Sequence, residues 1–261
     1  MSKLFSDAEN VLFRARDIIK RIKELRGRLK SLLRRYAELR RMLRHGELDK
    51  ETYEKLSIEV VDDMCNVFEK YISCRDNAKR ILVDLRVVHT KFQMFLKDFD
   101  SGKVVPESEW RASPSRLRIL QEISSLKKHI DLITKILNEV NVEDEVIVLN
   151  TYLDRGLTPD KRKTVESFFK DLYDVWSSRK IALLRKMESL KSKIESIDDK
   201  LREHEIRFAI GEYDQLQFNS IRIKLESQRS ELTDEIARIQ DEISRVDTAF
   251  YNCMRILGGA K

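Results

Sequence analysis

Proline and glycine are scarce in this chain, with three and seven in 261 residues. Both punctuate regular structure and fill tight turns. So few of them, beside a high charge content, suit coiled coils and long helices and not a mixed globular domain. Cysteine is nearly as rare: Cys65, Cys74 and Cys253 are the only three. An odd, widely spaced set does not make a disulfide framework and reads as free thiols in a reducing compartment. A Cys74–Cys253 bridge stays open if their helices touch. No apolar run reaches the 18 residues that a membrane span requires. The start, Met1 to Asp7, has no hydrophobic stretch leading to a cleavage site, so no secretory leader is expected. Together these features predict a cytoplasmic protein, with a peripheral position at a membrane left open.

The motifs of catalysis are also missing. The chain has no glycine-rich phosphate loop, no Gly-x-Ser-x-Gly elbow and no His-Glu-x-x-His pair. Its four histidines, His45, His89, His129 and His204, are scattered, and His204 reads as a polar interruption of an apolar seam. Asp62-Asp63 and Asp198-Asp199 are adjacent pairs. Neighbours on a helix point about 100° apart, so each pair reads as a solvated face. Trp110 and Trp176 read as packing anchors. No catalytic residue, cofactor, metal site or small-molecule substrate is expected.

What the chain has is charge and periodicity. Charged residues make up 37% and hydrophobic residues 41%, the mix of coiled coils and long helices. A first helix carries apolar residues at Leu4, Ala8, Val11, Ala15, Ile18, Ile22, Leu25, Leu29, Leu32, Tyr36, Leu39 and Leu43. The steps alternate four and three, which keeps one stripe facing a partner. Phe5, Leu12, Ile19 and Leu33 widen it to a bundle-type contact. A second seam runs from Val60 to Phe99, a third from Ile119 to Val140, a fourth from Val165 to Phe208 and a fifth from Leu225 to Leu257. Arg179 and Arg229 are the charges that interrupt the last two. The β-branched run Val146-Ile147-Val148-Leu149 reads as continued helix after a kink, because a lone strand has no partner.

Two turns join these seams in the same way. Gly46, Asp49 and Tyr53 in the first match Gly211, Asp214 and Phe218 in the second, 165 residues later. Glycine closes a helix at no steric cost, and aspartate caps the next one. Glycines at 46, 102, 156 and 211 fall at nearly constant intervals. The expectation is an all-α fold of about five long helices in antiparallel hairpins, with an internal duplication. Residues 1–101 form the first hairpin, 102–157 a connecting segment with a third helix, and 158–261 the second hairpin.

Charge is uneven. Residues 1–45 hold fourteen Lys/Arg against five Asp/Glu, while the rest of the chain holds 37 against 40. The net charge of +6 therefore belongs to the first helix. All fourteen cations avoid its seam, and Arg26, Arg28, Lys30, Arg34, Arg35, Arg40, Arg41 and Arg44 form the densest run. The plain reading is a solvated face that pairs with acids elsewhere. The functional reading is a surface for phosphate-rich partners, either anionic lipid headgroups or nucleic acid. Aromatic interleaving and base-reading motifs are missing, so sequence-specific DNA recognition is not expected. Phe5, Val11, Leu12 and Phe13 could wedge into a membrane interface, but most of them continue the heptad stripe.

The turn Gly46-Glu47-Leu48-Asp49-Lys50-Glu51-Thr52-Tyr53, with its echo from Gly211-Glu212-Tyr213-Asp214 to Phe218, resembles the helix-hairpin turns of archaeal CdvA-like coiled-coil proteins. The resemblance implies a coiled-coil structural protein of cell division that forms filaments at the membrane and recruits ESCRT-III-like partners. This chain departs from that family in opening directly on its helix and in ending, Arg255 to Lys261, without an evident partner-binding tail. A basic first helix folded on a longer second one is also similar to ESCRT-III and phage-shock membrane-remodelling proteins, whose distal helices are shorter. The expected partners are further copies of the chain or other helical proteins, and an anionic membrane surface. The alternative is sequence-blind binding of nucleic acid in chromosome organisation.

Overall fold

A computed structural model describes residues 2–101 and 116–258. Every regular element among them is a helix: α1 (Ser2–Arg44), α2 (Lys50–Asp100), α3 (Arg116–Asn138), α4 (Val142–Asp154), α5 (Pro159–Ala209) and α6 (Gln215–Leu257). The all-α expectation holds, with six helices where about five were expected. The difference lies at the heptad slip near Asn141, which is a helix end and not a kink. Asn141 caps α4, its side chain accepting from the Asp144 backbone N–H. Glu143, Asp144 and Glu145 then place negative charge at the positive end of the α4 dipole. The run Val146 to Leu149 is helical, as read.

The chain divides into two compact units, Met1–Phe169 and Lys170–Lys261. This boundary falls inside α5, whereas the sequence reading placed divisions at 101/102 and 157/158. α5 begins within the first unit because Val165 and Phe168 are buried there, with Phe168 edge-on to Phe68 of α2 at 5.4 Å. Trp110, Gly102 and most of the loose stretch from Asp98 to Pro114 lie outside the described residues.

In the first unit, α1 and α2 pack along their seams, and α3 and α4 lie against both. Ala8, Ala15, Ile18, Ile22, Leu29 and Leu39 of α1 are buried, as are Val60, Met64, Tyr71, Ala78, Ile81, Leu85 and Phe92 of α2. Each large side chain so buried contributes roughly 1.5–3 kcal/mol of transfer free energy. Phe5 and Phe92 close the open end of the pair as an edge-to-face contact at 5.1 Å. Phe5, Val11 and Leu12 are therefore core, and only Phe13 of that group is exposed.

The second unit is the hairpin of α5 and α6. Met187, Leu190 and Ile239 form its middle, flanked by Leu183, Leu232, Ile236 and Ile243. Trp176 is buried as an anchor: it stacks on Phe250 and its Nε1–H donates to Asp247 at 2.8 Å. The two seam charges are matched across the helices, Arg179 with Glu242 at 2.6 Å and Arg229 with Asp198 at 2.8 Å. No disulfide joins the three cysteines, and Cys74 and Cys253 lie in different units.

Candidate functional site

The two hairpin turns have one geometry. Gly46 and Gly211 take φ of 71° and 82°, a left-handed conformation that costs an L side chain steric strain. The amide of Gly46 bonds the Leu43 carbonyl, and that of Glu47 bonds Met42 five residues back. The amides of Gly211 and Glu212 bond Phe208 and Arg207 in the same pattern, the Schellman closure of a helix. Asp49 then accepts from the Thr52 amide and Asp214 from the Gln217 amide, each at 2.8 Å. Tyr53 and Phe218 begin the return helices by bonding back to the Asp49 and Asp214 carbonyls, each at 3.0 Å. Behind the turns the packing differs: Phe208 stacks on Phe218 at 4.5 Å, where the first hairpin has Tyr36 beside Tyr53.

The cations of α1 separate into groups once the helix is placed. Arg26 leaves the surface set. Its guanidinium turns inward, donating to the Ile136 carbonyl at 2.9 Å and to the Tyr71 hydroxyl at 3.3 Å. Arg75 of α2, itself buried, donates to the same hydroxyl at 3.2 Å and to the Leu137 carbonyl at 2.9 Å. The Tyr71 hydroxyl in turn donates a hydrogen bond to Glu145 of α4 at 2.9 Å. Two guanidiniums, a phenol and a carboxylate thus tie the end of α3 and the first turn of α4 to the α1–α2 pair. Burial pushes the Glu145 carboxyl above its ordinary range, opposed by Arg75, Tyr71 and Arg26. A cavity of about 120 Å³ lies beside this cluster.

Arg28, Arg35 and Arg40 lie on the flanks of α1. Arg28 lines a groove of about 870 Å³ between α1, α2 and the start of α5. Arg40 covers the Tyr36 ring at 5.5 Å. Arg41 is bound to Glu38 at 2.6 Å and lies 3.7 Å from Glu47, and its hydrogen bonds hold the Glu38 carboxyl below the usual range. Arg44 donates to the Arg40 carbonyl at the helix end.

Six cations form a line opposite the buried seam. Arg16, Lys20, Lys23, Lys30, Arg34 and Arg41 follow one another at steps of three, four or seven residues, and all are exposed. Gly27 occupies the position between Lys23 and Lys30, and Glu38 the one between Arg34 and Arg41. At 1.5 Å per residue the line is about 37 Å long. Among the described residues, the ion pairs place no acid on Arg16, Lys23, Lys30 or Arg34, while Lys20 sits 3.9 Å from Glu24. Sequence reasoning counted cations by density and so began its set at Arg26, missing Arg16, Lys20 and Lys23 as members. Phase was the available signal: positions 16, 23 and 30 are one heptad apart, on the side away from Ile18, Ile22 and Leu29.

Among the described residues, no helix is long and apolar enough to cross a membrane, and no group of three or more His, Cys, Asp or Glu is placed to hold a metal ion. No family model matches the chain, and no curated protein or solved structure is significantly similar to it.

Proposed function

We propose that this protein is a non-enzymatic helical scaffold that associates with copies of itself or with other helical proteins, and that it docks on an anionic membrane surface through the outer face of α1. The observation that carries the docking is the straight line of Arg16, Lys20, Lys23, Lys30 and Arg34, exposed and largely without acidic partners. A rod laid on a plane touches it along its whole length, whereas a rod laid across a cylinder touches it at one crossing. A line of about 27 Å therefore suits a bilayer better than a duplex crossed by the helix. Each basic residue near an anionic leaflet contributes about 1 kcal/mol. The likeness of the turns to CdvA-like proteins extends this reading to membrane remodelling in archaeal-type division, with the two hairpins as copies of one ancestral element.

Co-sedimentation of the full chain with vesicles rich in anionic phospholipid tests the proposal. The expected result is pelleting at low salt that falls steeply at high salt, and none with zwitterionic vesicles. Protein that ignores vesicles but retards duplex DNA regardless of sequence would replace this reading with nucleic-acid binding, whose affinity falls with salt for the same reason of counterion release.

A further inference from the structure

The outer face of α5, opposite its contact with α6, is self-complementary. Ile181 and Leu184 stand at one end and Ile206 at the other, with Ile210 one residue past the helix end; their exposures are 52%, 43%, 63% and 67%. Between them the same stripe carries Glu188, Lys191, Glu195, Asp199 and Arg202, all exposed. Read backwards about Glu195, aliphatics again stand at the ends, and each flanking charge meets its opposite, Glu188 against Arg202 and Lys191 against Asp199.

We infer that this face is the docking surface for a second copy of the chain, with the two α5 helices antiparallel about a two-fold axis at Glu195. In such a pairing each contact occurs twice, residue i of one copy on j of the other and j on i. The register centred on Glu195 seats Leu184 on Ile206, Glu188 on Arg202 and Lys191 on Asp199, places Ile181 against Ala209 beside Ile210, and sets Glu195 against its own copy. Two charge pairs and one apolar pair, each occurring twice, thus agree on one alignment and outweigh the single Glu195–Glu195 contact on the axis. The charged members are available for it. Arg202 and Asp199 meet within their own helix only at 3.7 Å, with both side chains 76% exposed, and Glu188 and Lys191 have no ion pair among the described residues. The stripe is narrower than a standard interface of about 1,600 Å², so the dimer is a weak one. This inference rests on the self-association in the proposed scaffold and is independent of the α1 cation line.

Sedimentation velocity of the full chain from about 1 to 100 µM, the range expected of so narrow an interface, tests it with Glu188→Arg and Arg202→Glu. Each variant alone sets two like-charged pairs against each other. Its self-association should weaken at least about 10-fold, the effect of 1.4 kcal/mol. Mixed one to one, the two variants restore both pairs in a heterodimer, and dimer should reappear. In parallel, Glu195→Cys sits on the axis and should crosslink to itself on oxidation faster than Ile223→Cys, which is also exposed but on the outer face of α6. An unchanged protein that dimerises while neither variant, mixing nor position 195 matters would overturn this surface and leave self-association standing. A chain that stays monomeric throughout would overturn both and give the face to a different protein.

Discussion

Glu69 and Glu145 both tie α4 to the α1–α2 pair, and their surroundings push them in opposite directions. Glu69 accepts from Lys161 at 2.6 Å and from the Tyr152 hydroxyl at 2.9 Å, and the Lys161 contact above all holds its carboxyl below the ordinary range. A depressed folded pKa contributes stability that is complete above the unfolded value, about 4.3, and is lost as pH falls through the folded one. Glu69→Gln should therefore lower the denaturant midpoint at pH 7, and its difference from the unchanged protein should shrink towards pH 3. Glu145 is the reverse case, raised by burial, so its own ionisation works against stability as pH rises. Its removal still costs more, because Arg75 would be left buried against an unpaired phenol. Glu145→Ala should destabilise the first unit by about 3–5 kcal/mol, and hydrogen exchange should quicken in α3 and α4 while the α5–α6 turn is unchanged. This cluster was not legible in the sequence. Arg26, Arg75 and Glu145 lie off the heptad seams, where charged residues usually meet water, and only a third layer of helices makes those positions interior. The seam charges Arg179 and Arg229 were legible as interruptions, but their partners Glu242 and Asp198 depend on the register of α6 against α5.

Among elements, the hairpins were readable in detail because their determinants are local. A glycine, a capping aspartate three residues on and a 3.5-residue apolar repeat are local signals, and the structure returns both turns hydrogen bond for hydrogen bond. The α3–α4 break was readable too, from Asn141 followed by three acids, but the apolar run behind it drew attention away from the cap. The unit boundary within α5 was not readable, since a helix carries its seam unbroken past the point where its neighbours change. A Cβ added at Gly46 or Gly211 meets no atom within 4 Å, so only the left-handed backbone penalises it. Gly46→Ala and Gly211→Ala should each cost about 1–2 kcal/mol and by similar amounts, as read by thermal unfolding. Gly27 also has open space, yet sits in a regular helix. Gly27→Ala should stabilise α1 by about 0.5–1 kcal/mol. Gly27→Lys would in addition fill the gap in the cation line and should tighten vesicle binding.

On the scale of the whole molecule, the two hairpins share a frame and differ in what they present. Shifted by 165 residues, Arg16, Lys23, Lys30 and Arg34 of α1 fall on Ile181, Glu188, Glu195 and Asp199 of α5. The buried seams correspond, while the outer faces are cationic in one hairpin and mixed apolar and ionic in the other. On the proposed function, this contrast gives the anionic surface to the first hairpin and the second copy to the other. The central claim is that the position of the cations on α1, and not their number, makes the membrane contact. The most direct measurement compares two charge-matched variants on anionic vesicles. In one, Lys23, Lys30 and Arg34 of the outer line become Glu; in the other, Arg28, Arg35 and Arg40 of the flanks do. The account predicts that the outer variant loses at least about 100-fold in affinity, three contacts of about 1 kcal/mol each and more for the reversed sign, while the flank variant loses less than about 10-fold. Equal losses in the two would contradict it.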